Sequence, residues 1–320
     1  NLKIIDQALV TRLVIDGKRA TAVEYRRDGI LNRVAANREI VLSAGAIGTP
    51  HILMLSGIGP AKHLKSRNIA PLVDLPGVGQ NLVDHADAFV RVRTSKPVSV
   101  LRELRADRIA RNVLRACLAG TGPVTESPIA AGGYFYSRTG LKDPDLQAFF
   151  MPLAVSDAAV WWPFTKGAAQ VRESHGYSFR IGPVRPESRG SLTLASPDPN
   201  VAPLIDPRYY EAPYDMKATI AGLRIGRQIL SQPAFRGYDG VETSPGPAIE
   251  DDAELEAYIR EAAGTVYHPV GTARMGRDEM AVVDDRLNVH QIQGLRIADA
   301  SVMPTIPSGN TNAPTMMIAE

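Results

Sequence analysis

Between residues 38 and 60 the spacing of the apolar side chains changes. Residues 38–43 read as a strand and stop at Ala44-Gly45. From Thr49 the period turns helical, with Ile52, Leu53 and Leu55, until Gly57-Ile58-Gly59-Pro60 breaks it. A strand that runs straight into a helix commits this part of the chain to an α/β arrangement, because each element needs the other to bury its apolar side.

Around that joint the pattern is mixed. Residues 3–5, 8–15 and 20–26 read as short strands, with Asp16-Gly17 as a turn between two of them. Residues 60–68 read as a second short helix and 75–85 as a glycine-containing loop. Further strands are expected at 89–94, 147–155, 177–184, 191–194 and 295–298. Helices are expected near 98–118, 213–230 and 251–263, the last with acidic residues in its first turn, where the helix dipole favours them. The fold class predicted from this order is α/β plus α+β.

Several functions are disfavoured by what the 320 residues contain. Thirty-six Lys and Arg against thirty-four Asp and Glu leave a formal charge of +2, without the basic excess of a nucleic-acid surface. Cys117 is the sole cysteine, so the chain has no disulfide partner for it and no Cys-based zinc site. The histidines at 51, 63, 85, 175, 268 and 290 lack ligand spacing, so no metal is expected. No apolar run approaches the ~20 residues that cross a bilayer. Gly57-Ile58-Gly59, Gly77-Val78-Gly79 and Gly120-Thr121-Gly122 each lack the third glycine of a dinucleotide fingerprint. There is no Walker loop and no Gly-x-Ser-x-Gly elbow.

Four segments carry a resemblance. Residues 45–59 read GAIGTPHILMLSGIG, 75–85 read LPGVGQNLVDH, 266–276 read VYHPVGTARMG, and 295–320 read LRIADASVMPTIPSGNTNAPTMMIAE. In this order they resemble the glucose-methanol-choline (GMC) flavoprotein oxidoreductases. The third resembles the family's catalytic-histidine loop and the fourth its flavin-contacting C-terminal segment. The family's N-terminal Gly-rich βαβ unit for FAD has no counterpart here. Asn1 opens without a methionine and Glu320 closes an apolar, helix-like stretch, so both ends read as cut.

By residues alone, His268 is more often a structural histidine, Asn310 a turn residue, Gly45 a turn glycine and Asp299 a strand-end cap. The resemblance implies more. His268 would be the acid/base of alcohol oxidation, and Asn310 would stand where the family places a second His or Asn. Cofactor contacts would come from Val10, Ala44 and Gly45 near the adenosine, and from Asp299, Ala300, Asn310 and Thr311 against the flavin. Asp84-His85 reads as structural, Trp161-Trp162 as either an entrance lining or packing, and the arginines of 98–118 as a solvated face.

The resemblance also implies an organisation: a remnant of an FAD-binding domain over 1–88, an antiparallel-sheet substrate-binding domain over 89–264, and a catalytic loop returning to the first domain over 265–320. The implied activity is FAD-dependent oxidation of a small-molecule alcohol, choline-like or a general primary or secondary alcohol, as part of a larger enzyme. A flavin-containing lyase of hydroxynitrile type and an inert structural fragment are the alternatives. The incomplete FAD-binding domain predicts that the chain alone is inactive, does not retain FAD and self-associates through an apolar seam. The expected location is cytoplasmic or membrane-peripheral.

Overall fold

The computed structural model describes residues 2–127, 129, 131–154 and 175–320. It has a mixed α/β fold with an antiparallel sheet. The chain divides into two compact units, one of residues 1–85, 185–212 and 267–320, the other of 86–184 and 213–266.

The first unit opens on an antiparallel sheet of β1 (Leu9–Asp16), β2 (Arg19–Arg27) and β3 (Ile30–Ala35). Residues 3–5 form no strand. The β3 strand is absent from the sequence expectation because nearly all of it is exposed, which leaves no alternation to read. The signal that finds it is Asp28-Gly29, both left-handed (φ 53° and 77°), the dipeptide of a tight hairpin. Strand β4 (Ile40–Leu42) pairs in parallel with Leu295–Ile297, and four buried residues, Ile40, Leu42, Leu295 and Ile297, hold the pair in the core.

Helix α1 (Gly45–Leu55) follows β4 and buries Ala46, Thr49, Pro50, Ile52, Leu53 and Met54, so only one flank meets water. Pro50 has no N–H to give the carbonyl of Ala46, and the hydroxyl of Thr272 donates to that oxygen instead, at 2.6 Å. Leu192 and Leu194 pack in the same core as α1, and Leu82 and Gly190 exchange backbone hydrogen bonds. Residues 185–212 therefore belong with this unit and correct the linear boundary that placed them in 89–264.

In the second unit an antiparallel sheet runs in the order Val241–Ser244, Ala86–Arg93, Gly176–Pro183, Leu146–Met151, Ala131–Phe135, with Gly264–Thr265 added to Ala86–Arg93. The long helix Pro213–Leu230 covers it, burying Ile220 and Leu223. The helix expected near 98–118 is divided into a 3-10 turn, Val100–Leu104, and a helix, Ala106–Ala119, by extended backbone at Arg105. Trp161-Trp162 lies outside the described residues. Among the described residues no helix is long and apolar enough to cross a membrane.

Candidate active site

All the candidate residues fall in the first unit. The loop that carries His268 is built by pairing on two sides. Val270 and Val83 exchange backbone hydrogen bonds at 2.8 and 3.0 Å, and Gly79 N–H donates to Thr272. On the other side Gly271, Ala273 and Met275 donate to Ala300, Ser301 and Val302 in turn. Gly271 permits this seam: it is left-handed (φ 89°), and a Cβ there would stand 2.5 Å from the carbonyl oxygen of Asn81.

His268 is half-buried and its ring nitrogens both have neighbours. Its Nδ1 lies 3.0 Å from Nδ1 of His85, with the two rings edge to face. Its Nε2 lies 3.3 Å from Nδ2 of Asn310. With Asn310 donating through Nδ2, Nε2 is the accepting nitrogen and the ring proton is then on Nδ1, toward His85. Desolvation lowers the His268 pKa below the ordinary imidazole value, and the nearby charge of Asp84 opposes that shift. Burial thus favours the neutral imidazole, and its Nε2 lies beside an exposed amide.

The main chain of His268 is held as well. Its N–H donates to Oδ1 of Asp84 at 2.9 Å, and the hydroxyl of Tyr209 donates to Oδ2 of the same carboxylate at 2.5 Å. His85, read from the sequence as structural, is buried and stands against the His268 ring. The available signal was a buried-type histidine beside a carboxylate at the end of a glycine loop. Only the 183-residue separation of His85 from His268 hid the pairing.

A second group forms at the carboxyl ends of the parallel strands. Asp299 is buried and accepts three hydrogen bonds: from the N–H of Ser301 at 2.8 Å, the N–H of Gly45 at 3.0 Å and the hydroxyl of Thr49 at 2.6 Å. Ala44 N–H in turn donates to Thr49. Ala300 lies between the two groups, its carbonyl receiving Gly271 N–H while its side chain packs with Val83, Val270 and Met303. Thr311 precedes the helix Asn312–Ala319 and accepts from Thr315. Val10 sits in β1 opposite Tyr25, half-buried against the core, and takes no part in either hydrogen-bonded group.

Two family models, both for GMC oxidoreductases, match the chain, one over residues 1–87 and one over 186–319. The chain belongs to the GMC oxidoreductase family. This GMC chain is 39% identical over its whole length to the oxygen-dependent choline dehydrogenase of Burkholderia multivorans and covers 55% of it. It is 38% identical to the protein of the same name from Chromohalobacter salexigens and covers 56% of that one. Among solved structures, a variant of Aspergillus oryzae formate oxidase, studied for FAD modification, superposes with a TM-score of 0.86 at 26% identity, over 98% of this chain and 58% of that one. Pyridoxine 4-oxidase from Mesorbium loti gives a TM-score of 0.79 at 27% identity, over 98% of this chain and 55% of that one. The chain spans about half the length of the curated relatives it matches.

Proposed function

We propose that the protein to which this chain belongs oxidises an alcohol to a carbonyl with FAD, and that His268 is its proton acceptor. One observation carries the reading: Nε2 of a partly desolvated imidazole lies 3.3 Å from the side-chain amide of Asn310. A hydroxyl group placed beside the pair, within hydrogen-bond reach of both nitrogens, would lose its proton to Nε2 while Asn310 Nδ2 donates to the developing alkoxide, without a charge that titrates. His85 fixes the tautomer by accepting the Nδ1 proton. FAD, when bound, supplies the acceptor for the hydride that leaves the alcohol carbon.

The residues present fit such a cofactor at the carboxyl ends of β4 and Leu295–Ile297, where open α/β sheets hold ligands. Ala44, Gly45, Ala298 and Ala300 are small, and a Cβ added to Gly45 would meet no atom within 4 Å, so a ligand can come up against bare backbone. Ala44, Gly45, Asp299, Ala300 and Thr311 are our assignments for this role, with Val10 an outlying member. On this reading the first unit carries the flavin and the second binds substrate. Curated relatives named as choline dehydrogenases favour a choline-like alcohol, and a general primary or secondary alcohol is the broader class.

The test is His268→Ala in the complete flavoprotein. The rate of flavin reduction by alcohol should fall by about 10²–10⁴-fold with flavin content retained. Reduction at the parental rate would remove His268 from the mechanism, and cyanohydrin cleavage without flavin bleaching would assign a lyase. For the 320 residues alone we propose weak FAD binding and no turnover, since they contain no Gly-x-Gly-x-x-Gly turn to hold a pyrophosphate. Exposed Val41, Ile47, Met316 and Met317 would promote self-association. Stoichiometric flavin retained through extensive dialysis would overturn that part.

A further inference from the structure

The Asp84 carboxylate occupies both of its oxygens at the His268 corner, one with the His268 main chain and one with the Tyr209 hydroxyl. Tyr209 comes from residues 185–212, a segment no sequence signal connected with the site. Its place is unusual. Arg208 and Tyr210 on either side are both left-handed non-glycine residues (φ 49° and 61°), and so is Tyr267 (φ 63°), directly before His268. Such residues cost free energy and persist where surrounding contacts fix them. The backbone is therefore strained at both ends of the chain of groups Tyr209–Asp84–His268.

We propose that Tyr209 is a positioning residue for His268, acting through Asp84: it orients the carboxylate that holds the His268 main chain and offsets part of its charge. This rests on the reading of His268 as the proton acceptor. Among the described residues, the recorded contacts of His268 are with Asp84 and His85 from the 75–85 loop and with the neutral amide of Asn310. Tyr209 reaches it through Asp84, and Tyr267 adjoins it in the chain. Without the Tyr209 hydroxyl, Asp84 presents a less compensated negative charge, and the protonated form of His268 gains. Without the charge of Asp84, the neutral form gains.

Two conservative variants therefore move the same imidazole in opposite directions. In the complete flavoprotein, Tyr209→Phe should raise the His268 pKa and Asp84→Asn should lower it. Carbon-13 histidine NMR reads both shifts without turnover, the His268 resonance being identified by its loss in His268→Ala. In the pH profile of kcat/KM the acid limb should follow the same two directions. Tyr209→Phe should also lower kcat by about tenfold, the worth of one hydrogen bond to a charged group, while changing KM less. Shifts in the same direction, no shift, or a loss confined to KM would overturn the proposal. If Asp84→Asn does not fold, Tyr209→Phe decides alone through the direction of its shift. Failure of the functional reading looks different, because His268→Ala would then reduce its flavin normally while the opposed NMR shifts remained.

Discussion

Two aspartates organise the first unit, and they hold their surroundings on different terms. Asp299 is sealed: its three donors are two backbone N–H groups and one hydroxyl, and its neighbours are the starts of α1 and of the Ala300–Val302 turn. Asp84 is half-buried and also holds main chain, but the residue it holds is a histidine with an accepting nitrogen turned toward an exposed amide. The same side chain thus secures a fold at one place and, on the proposed function, a reactive group at the other. Both carboxylates accept from an amide N–H and a hydroxyl; the difference is that at Asp84 the amide belongs to His268, whose imidazole feels the carboxylate charge.

The contrast predicts separable losses. The largest falls on the reactive corner: Asn310→Leu removes the donor beside His268 Nε2 and should cost about 2.7–4 kcal/mol of transition-state stabilisation, by analogy with oxyanion-hole donors. Rapid-mixing measurement of flavin reduction in the complete enzyme reads this, with Asn312→Leu as a comparison that should stay near parental. A harmless Asn310→Leu and a crippling Asn312→Leu would transfer the role two residues along the chain.

At the sealed end, Asp299→Ala leaves two backbone N–H groups and a hydroxyl without their acceptor. It should lower stability on the order of 3 kcal/mol, seen in denaturant unfolding. Loss of rate with stability intact would break the division between the two aspartates.

The smallest effect is one of pH. Burial lowers the pKa of His268, and it does the same for His51 and His63. For each, the unfolded chain binds its proton at a higher pH than the folded one. Stability from this source is therefore complete above the ordinary imidazole value of about 6.5 and is lost as pH falls below it toward the depressed folded values. Unfolding midpoints measured from pH 8 downward should decline through that window, and His268→Ala should flatten part of the decline. An unchanged slope would mean that His268 is as hydrated as in the unfolded chain.

How much of this was legible varies with the range of the contact. The strand–helix joint at Ala44-Gly45, the helix at Pro213–Leu230 and the family-like loop at 266–276 stood out because periodicity, breakers and motifs are all local. His268 with Asn310 was accessible only through resemblance, since nothing in either neighbourhood points to the other across 42 residues. Tyr209 was not legible, and His85 was legible only as a structural histidine. Their roles come from side-chain pairings across 125 and 183 residues, which local sequence does not record. The exposed β3 edge and the glycine-containing Ala131–Phe135 strand failed for another reason: alternation needs one dry face, and neither has a consistent one.

The substitution of the Thr272 hydroxyl for the missing Pro50 N–H has a consequence in time. The helix acceptor at Ala46 and its donor are 226 residues apart, and the Asp299 bonds to Gly45 and Thr49 span 254 and 250. A ribosome emits this helix long before it emits the groups that complete it. At about 5–20 residues per second, α1 waits on the order of ten seconds or more for residue 272. Throughout that interval its apolar sides and the Ala46 carbonyl lack their final partners. The first unit consolidates only when the last fifth of the chain arrives, so its early segments depend on chaperones or their own transient collapse until then.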